Sequence, residues 1–270
     1  MIQALACDLD GTLVPTGGRI APSDVAALVE AGRLGVRRVL VTGRPSRCLD
    51  DVPDVVALFE RTYACNGAEA VAPDGRVMVR HALTAAQALD VTTHIRRLLP
   101  DAAFAVEYGT HFGYEPRYSY WPATDRWPDS VEAPIFSLLT GSGPLLKLLV
   151  KTDLPTAELV RLILAAFPRL TVTHSNPQGV PGPVEILAGG ATKANVVREF
   201  ADSAGIGLGD FAAFGDRLND LPMLRIVGHP VAVGAADQPD LAAFEQVATA
   251  PADGVGGWLR RWPPLTRVPG

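Results

Sequence analysis

Two aspartates stand at the end of the first apolar segment of the chain, in the hexapeptide CDLDGT at residues 7–12. The residues at 3–8 are mostly apolar and predict a buried β-strand. A carboxylate that loses water without gaining a partner is costly by several kcal/mol. Asp8 and Asp10 therefore need compensation, and a bound cation is the simplest way to supply it.

Three further segments carry polar residues where a strand is expected to end or a helix to begin. VTGR at 41–44 follows an apolar strand, GDRLND at 215–220 follows another, and Thr192 and Lys193 open a helix. Each segment alone also fits an ordinary turn, helix cap or solvated charge. Ligands gather at the carboxyl ends of parallel strands, so their joint placement favours a functional site.

Strands and helices alternate at both ends of the chain. The expected strands span residues 3–8, 36–42, 62–65, 211–215 and 230–233. The expected helices span residues 23–34 and 254–262, and a third carries Lys193 and ends at Gly205. This alternation predicts an α/β fold, a Rossmann-like core built on a parallel sheet.

The helix at 23–34 has its own start signal and apolar face. Ser23 is placed to cap it, because a serine hydroxyl can accept a hydrogen bond from the first turn. Val25, Leu28 and Val29 fall on one side and predict the buried face.

The middle of the chain differs from both ends in composition, with more aromatic residues and more turn signals. Its expected elements are hairpins at 70–79 and 103–116, helices at 84–99 and 156–167, and a strand at 145–151. We predict a second α+β domain at about 82–188, inserted into a core formed by 1–81 and 189–270. Some of its residues could reach a bound ligand, although most are expected to pack the domain itself: Tyr118, Tyr120, Trp121, Arg126 and Asn176.

Composition excludes several classes of function. The 270-residue chain has a net charge of −5, which argues against a general nucleic-acid binder. Its three cysteines form no CxxC pair, so reduced thiols and a cytoplasmic location are expected. No apolar run reaches the roughly 18 residues that a membrane span needs. We expect neither nucleic acid nor membrane as a partner.

The set DLDGT, VTGR, Lys193 and GDRLND resembles the four motifs of the haloacid dehalogenase (HAD) superfamily. The insert between the second and third motifs is similar to the large C2 cap of its Cof-type phosphatases. Two departures are visible: the lysine motif reads GATK, and AVGAA at 232–236 lacks the usual methionine and asparagine. The resemblance implies an Mg²⁺-dependent phosphatase that hydrolyses a small phosphorylated metabolite, such as a sugar phosphate, through an aspartyl-phosphate.

The resemblance also assigns roles to residues. Asp8 is the expected nucleophile and Asp10 the general acid and base. Thr42 donates a hydrogen bond to the phosphoryl group, and Lys193 offsets the charge of nucleophile and phosphate. The remaining residues expected to bind phosphate or line the substrate side are Leu9, Gly11, Gly43, Arg44, Asn66 and Asn219.

The expected ion is Mg²⁺, which prefers hard oxygen ligands. Asp8, Asp10 and Asp216 would supply them, with Asp10 contributing through its backbone carbonyl. Asp220 is expected to orient water or the lysine behind the ion.

Three alternatives compete with hydrolysis. A phosphomutase would use the same nucleophile and return the phosphoryl group to its substrate. A non-catalytic protein that binds a phosphorylated metabolite could retain the fold, but such a chain would usually have lost Asp8, Asp10, Lys193 or Asp216. Dehalogenation is disfavoured, because that branch of the superfamily replaces the second aspartate, which is present here as Asp10.

Overall fold

The computed structural model describes residues 1–15, 18–118, 130–141, 143–174, 182–235 and 238–262. The described strands form one sheet of eight and one of six. The eight-stranded sheet contains β1 (Ala4–Cys7), β2 (Arg37–Val41), β3 (Arg61–Ala64), β4 (Glu69–Val71), β5 (Val77–Val79), β12 (Phe211–Gly215), β13 (His229–Val233) and β14 (Glu245–Val247). Its order is β14-β13-β12-β1-β2-β3-β4-β5, with parallel pairs from β14 to β3 and antiparallel pairs beyond.

Helices cover both faces of the eight-stranded sheet. On one face, Leu5 and Cys7 of β1 pack with α1 (Pro22–Arg33) and α8 (Gly254–Arg261). On the other, Ala4 and Ala6 pack with α6 (Lys193–Ala204) and α7 (Leu221–Leu224). A short helix, α2 (Pro53–Val56), lies between β2 and β3. Burial on both faces explains why these strands are apolar almost throughout.

The six-stranded sheet comes from the middle of the chain. Its strands are β6 (Ala103–Glu107), β7 (Phe112–Tyr114), β8 (Val131–Glu132), β9 (Lys147–Lys151), β10 (Thr171–Thr173) and β11 (Val184–Leu187), in the order β10-β11-β9-β6-β7-β8. Helices α3 (Ala85–Leu98), α4 (Ile135–Leu139) and α5 (Thr156–Ala166) pack on one face, where Ile95 and Ile163 meet Phe104. Ala103, Ala105, Phe112 and Tyr118 form a separate cluster on the other face.

The predicted strands of the parallel sheet and the helices at 84–99, 156–167 and 254–262 are confirmed to within one residue at each end. The α3 start shows why the sequence signal is reliable there. The Thr84 hydroxyl accepts a hydrogen bond from the Gln87 backbone N–H, and the Gln87 side-chain oxygen accepts one from the Thr84 backbone N–H. Such a capping box satisfies two backbone donors that the first turn would leave open.

The first helix differs from its prediction in two details. It begins at Pro22, so Ser23 lies inside the first turn and does not cap it. Leu28 is buried as predicted, together with Asp24 and Ala27, whereas Val25 is half-buried and Val29 is 45% exposed. The physical reason is the contact with α8, where the Asp24 carboxylate accepts a hydrogen bond of 2.8 Å from Gly256 N.

The chain changes sheet twice, between β5 and β6 and again between β11 and β12. A cap inserted at about 82–188 is compatible with this change, and its boundaries stay a prediction. Within the described part of the chain, every helix is too short or too polar to cross a bilayer.

Candidate active site

Three neighbouring strands deliver polar side chains to one edge of the eight-stranded sheet. Asp8 follows β1, Thr42 follows β2 and Asp216 follows β12. These strands lie side by side and run parallel, so residues far apart in sequence meet at their carboxyl ends. All three side chains are buried.

Lys193 enters this group from the first turn of α6. Thr192 caps that helix, its hydroxyl accepting a hydrogen bond of 3.2 Å from Asn195 N. The buried Lys193 Nζ donates to Asp8 Oδ1 and to Asp220 Oδ1, the second at 2.6 Å. One ammonium group therefore joins the carboxylates that follow β1 and β12.

The loop after β12 is closed by Asp220. Its Oδ2 accepts hydrogen bonds from Asp216 N at 3.1 Å and from Arg217 N at 3.0 Å. Asp216 Oδ1 accepts a hydrogen bond of 3.0 Å from Thr12 Oγ1, and its Oδ2 pairs with Arg217 Nε at 3.0 Å. These contacts fix the direction in which both carboxylates point.

Asp8, Asp216 and Asp220 together could hold a metal ion. One oxygen from each lies within 4.8 Å of the others. Gly11, with a φ of +84°, leaves room for the Asp216 carboxylate beside the Asp8 loop, because a Cβ at position 11 would overlap that carboxylate. Three carboxylates in this arrangement form a hard-oxygen donor set that fits a divalent cation.

Burial dominates the electrostatics of these groups. It raises the pKa of Asp8 well above its ordinary value, although Lys193 opposes the shift. Burial also raises the pKa of Asp216 from 3.8 to about 6, and the nearby Asp220 charge adds to that effect. For Lys193, burial acts to lower the pKa, but Asp220 and Asp8 together outweigh it and the pKa is raised.

Asp10 lies outside the group of three carboxylates that could hold a metal. Its side chain is 51% exposed and is held by Arg44, with distances of 2.5 Å from Nη2 to Oδ1 and 2.8 Å from Nε to Oδ2. The hydrogen bond with Asp10 is the main reason that the pKa of Arg44 is raised. Arg44 also donates its backbone N–H to Thr42 Oγ1 at 3.0 Å.

The other predicted phosphate-binding residues surround the same edge of the sheet. Leu9 is buried, and its carbonyl accepts hydrogen bonds from the backbone of the following turn. Asn219 Nδ2 donates to Asn66 Oδ1 at 3.3 Å, and both amide groups lie close to Gly43. Asn66 adopts a left-handed conformation with a φ of 54°.

Among the cap residues singled out, the described structure includes Tyr118. It is buried in the cluster with Phe112, Ala103 and Ala105, as expected for a residue that packs the cap. The others lie outside the described residues: Tyr120, Trp121, Arg126 and Asn176.

Sequence reasoning missed two charged residues of the six-stranded sheet that reach this edge. Lys147 Nζ donates to the Gly43 carbonyl at 2.7 Å and to Glu185 Oε2 at 2.9 Å. Glu185 Oε2 also accepts a hydrogen bond of 3.1 Å from Asn66 Nδ2. The signal in the sequence is a charged residue between apolar neighbours on a buried strand, in LLKLLVK and in VEIL.

A third contact between the two sheets was also missed. Arg47 donates from Nε and Nη2 to the two carboxylate oxygens of Glu107, at 3.1 and 2.6 Å. Glu107 is buried on β6, and Arg47 follows the Thr42 loop.

The chain matches known proteins along most of its length. The family model of the haloacid dehalogenase-like hydrolases matches residues 5–259. The chain is 28% identical to the pyridoxal phosphate phosphatase YbhA of Escherichia coli over 262 residues, which cover 87% of this chain and 89% of that protein. It is 23% identical to the 5-amino-6-(5-phospho-D-ribitylamino)uracil phosphatase YcsE of Bacillus subtilis, over 97% of this chain and 96% of that protein.

Solved structures show the same fold. The sugar phosphatase BT4131, of HAD subclass IIB, superposes with a TM-score of 0.77 at 22% identity, over 96% of this chain and 98% of that chain. BT1666 from Bacteroides thetaiotaomicron, a phosphatase of the same superfamily, gives a TM-score of 0.76 at 24% identity, over 96% and 93%. The predicted α/β, HAD-like fold is therefore confirmed. The chain belongs to the haloacid dehalogenase-like hydrolases, and it is a phosphatase of that superfamily.

Proposed function

We propose that the enzyme hydrolyses a small phosphorylated metabolite through an aspartyl-phosphate on Asp8, with Mg²⁺ as its ion. The contact between Lys193 and Asp8 carries this proposal, because it places a buried carboxylate beside a buried ammonium at the ends of three parallel strands. A carboxylate oxygen can attack phosphorus, and the resulting acyl phosphate is reactive enough to be hydrolysed. The phosphorylated metabolites named for similar phosphatases support a small substrate.

In the first step, an Asp8 oxygen forms a bond to phosphorus while the bond from phosphorus to the ester oxygen breaks. Asp10 gives its proton to the departing alkoxide and then accepts one from the water that attacks the aspartyl-phosphate. Asp10 must first exchange its contact with Arg44, which its half-exposed position allows. Lys193 and Thr42 stabilise the charge on the phosphoryl oxygens, together with backbone N–H groups after Asp8.

Asp8 and Asp216 would hold Mg²⁺ through their side chains, and Asp10 through its backbone carbonyl. The bound ion supplies positive charge that offsets the repulsion between the carboxylate nucleophile and the phosphate. The proposed role of Asp220 is to orient Lys193 and the loop after β12. Both of its oxygens already accept hydrogen bonds from those groups, which supports that role.

The test is phosphate release from a panel of phosphate monoesters, with and without Mg²⁺. We expect Mg²⁺-dependent release by the wild-type protein and none by Asp8→Asn, which keeps the size of the side chain and removes the nucleophile. Asp54→Asn on α2 is a matched control at an exposed position. Full turnover by Asp8→Asn would exclude the aspartyl-phosphate route.

The same reactions, with their sugar-phosphate products identified as well, separate the phosphomutase from the binding protein. A phosphomutase would convert a sugar phosphate into its isomer with little release of phosphate, and a binding protein would give neither product. Retention of Asp8, Asp10, Lys193 and Asp216 argues against the second.

A cytoplasmic location is also part of the proposal. Cys7, Cys48 and Cys65 are free thiols, and two of them are buried. Free thiols are typical of proteins kept in a reducing compartment.

A further inference from the structure

The turn after β3 has an uncommon backbone conformation. Cys65, Asn66 and Gly67 are three successive residues with positive φ, of 47°, 54° and 102°. Glycine adopts such angles freely, whereas a side chain crowds the neighbouring carbonyl oxygen. In the part of the chain that the structure describes, Cys65 and Asn66 are the non-glycine residues with positive φ. Strain of this kind persists only where the surrounding structure enforces it, and such positions cluster at functional sites.

The turn is held between two segments of the proposed active site. On one side, the Asn66 backbone N–H donates to the Thr42 carbonyl at 2.9 Å. On the other side lies α6, the helix that begins with the proposed catalytic lysine. A Cβ at Gly67 would lie only 2.6 Å from Val196 Cγ1 of that helix. The strained turn therefore fills the gap between the loop after β2 and α6.

The contacts of the Asn66 side chain fix the orientation of its amide group. The residue is only 2% exposed, and its Nδ2 donates to Glu185 Oε2 at 3.1 Å. Because an ionised carboxylate accepts hydrogen bonds and cannot donate them, the amide nitrogen must be the atom that faces Glu185. The amide oxygen then faces Asn219, whose Nδ2 donates to it at 3.3 Å.

Through Asn219, this amide oxygen is connected to the loop after β12. The Asn219 Nδ2 group carries two protons, and the contact with Asn66 uses one of them. A Cβ at Gly43 would lie 3.7 Å from this nitrogen, so the Asn219 amide is adjacent to the loop that carries Thr42. Both groups expected to donate to the phosphoryl oxygens, Thr42 and Asn219, are thus in contact with Asn66.

We propose that Asn66 is a positioning residue for phosphoryl transfer: its backbone and side chain hold Thr42 and Asn219 where both can donate to the phosphoryl oxygens in the transition state. This inference rests on the proposed phosphatase function, and it gives Asn66 an indirect role instead of a contact with the substrate. A donor that is already oriented needs no reorganisation when charge develops on those oxygens. Loss of the Asn66 amide should therefore lower kcat much more than it changes KM.

The first test uses Asn66→Gly, which removes the amide and fits the left-handed backbone without strain. With the best phosphate monoester of the panel, kcat should fall at least about tenfold while KM stays within about threefold of the wild-type value. Asn66→Ser should show the same loss of kcat, because it lacks the amide without gaining the backbone freedom of glycine.

The matched control is Cys65→Gly, which adds backbone freedom one residue earlier and leaves the Asn66 amide in place. Its kcat should stay within about threefold of the wild-type value. Thermal unfolding of each variant shows that a lower kcat does not come from a smaller folded fraction.

A kinetic double-mutant cycle tests whether the Asn66 side chain acts through Asn219. Glycine at position 66 keeps the backbone N–H that binds Thr42, so the cycle measures the side chain alone. If Asn66 acts by orienting Asn219, then Asn66→Gly combined with Asn219→Ala should have nearly the kcat of Asn219→Ala by itself.

Three results would overturn this inference and leave the phosphatase function intact. They are a wild-type kcat in the folded Asn66 variants, a loss confined to KM, and losses that multiply in the double variant. Failure of the wild-type enzyme to release phosphate from any substrate would overturn the proposed function, and this inference with it.

Discussion

Lys193 is buried between two carboxylates, and each of these three charges is tolerated because the other two are present. Its ammonium donates to both Asp8 and Asp220, and the latter also binds two backbone N–H groups. Removing one member leaves charge without a partner in a place that water does not reach.

Replacing the lysine should therefore harm both stability and catalysis. We expect Lys193→Met to lower the free energy of unfolding by about 3–5 kcal/mol at pH 7. The loss should shrink as the pH falls, because burial raises the pKa of Asp8 and an Asp8 carboxyl group without its lysine takes up a proton more readily. Turnover should fall at least about 100-fold, because the phosphoryl charge loses its fixed counter-charge. Urea unfolding and phosphate release measure the two effects, and a variant with wild-type values for both would contradict the assignment.

Asp216 sets a pH dependence for the protein without metal. Its pKa is raised from 3.8 to about 6, so the folded chain holds this proton more tightly than the unfolded chain does. The resulting stability is fully present below the unfolded value and is lost as the pH rises to about 6, by roughly 3 kcal/mol.

Urea unfolding in the presence of a chelator measures this loss between about pH 4 and pH 6.5. Asp216→Asn lacks the titrating group and should lose less stability over the same range. A slope identical in the two proteins would show that Asp216 does not titrate there.

Among the elements, α1 and α8 approach each other unusually closely. Gly256 lies in the first turn of α8 and donates its N–H to Asp24 on α1. A Cβ at Gly256 would lie 2.5 Å from the Ser23 carbonyl oxygen and 2.8 Å from Asp24 Oδ1. The glycine is thus needed for packing between the helices.

Gly256→Ala should accordingly be destabilising, although alanine has a higher helix propensity than glycine. We expect a loss of about 1–3 kcal/mol, because the added methyl group pushes the two helices apart. Gly209→Ala is the control, since no atom lies within 4 Å of the added Cβ. A stabilised Gly256→Ala protein would mean that the helices can separate without cost.

The same two helices show the limit of reading elements from sequence. The central strands of the parallel sheet and several helix bounds were predictable, because these strands are mostly apolar and α3 and α6 begin with capping threonines. The buried face of α1 was predictable only in part. Leu28 follows from apolar spacing, whereas the contact with α8 depends on the Asp24 carboxylate and on the close approach that Gly256 allows. The fold and the motif positions were therefore accessible from the sequence, but this contact was not.

At the scale of the whole molecule, polar contacts join the two sheets at the proposed active site. Arg47 with Glu107, and Lys147 with Gly43, connect strands that are far apart in sequence. No local pattern predicts such pairs, because strand register and the approach of the two sheets decide them. The site residues that follow the core strands were accessible from the sequence, whereas those on the opposing sheet were not.

The pair of Arg47 and Glu107 should couple the stability of the two sheets. A double-mutant cycle with Arg47→Met and Glu107→Gln should give a coupling energy of about 1–3 kcal/mol in urea unfolding. The exposed pair of Arg117 and Asp101 provides the comparison, and its coupling should be close to zero. Equal couplings in the two cycles would show that the buried pair does not hold the sheets together.

The position of β1 in the eight-stranded sheet has a consequence for biosynthesis. This strand leaves the ribosome well before one of its two neighbours, β12, which follows it by some two hundred residues. Until Phe211–Gly215 has emerged, the nascent chain presents an apolar strand with one open edge. Asp8 likewise has no ion-pair partner until Lys193 of α6 has been synthesised. The central strand is thus an aggregation hazard throughout most of translation, and chaperones that shield open strand edges should matter most in that interval.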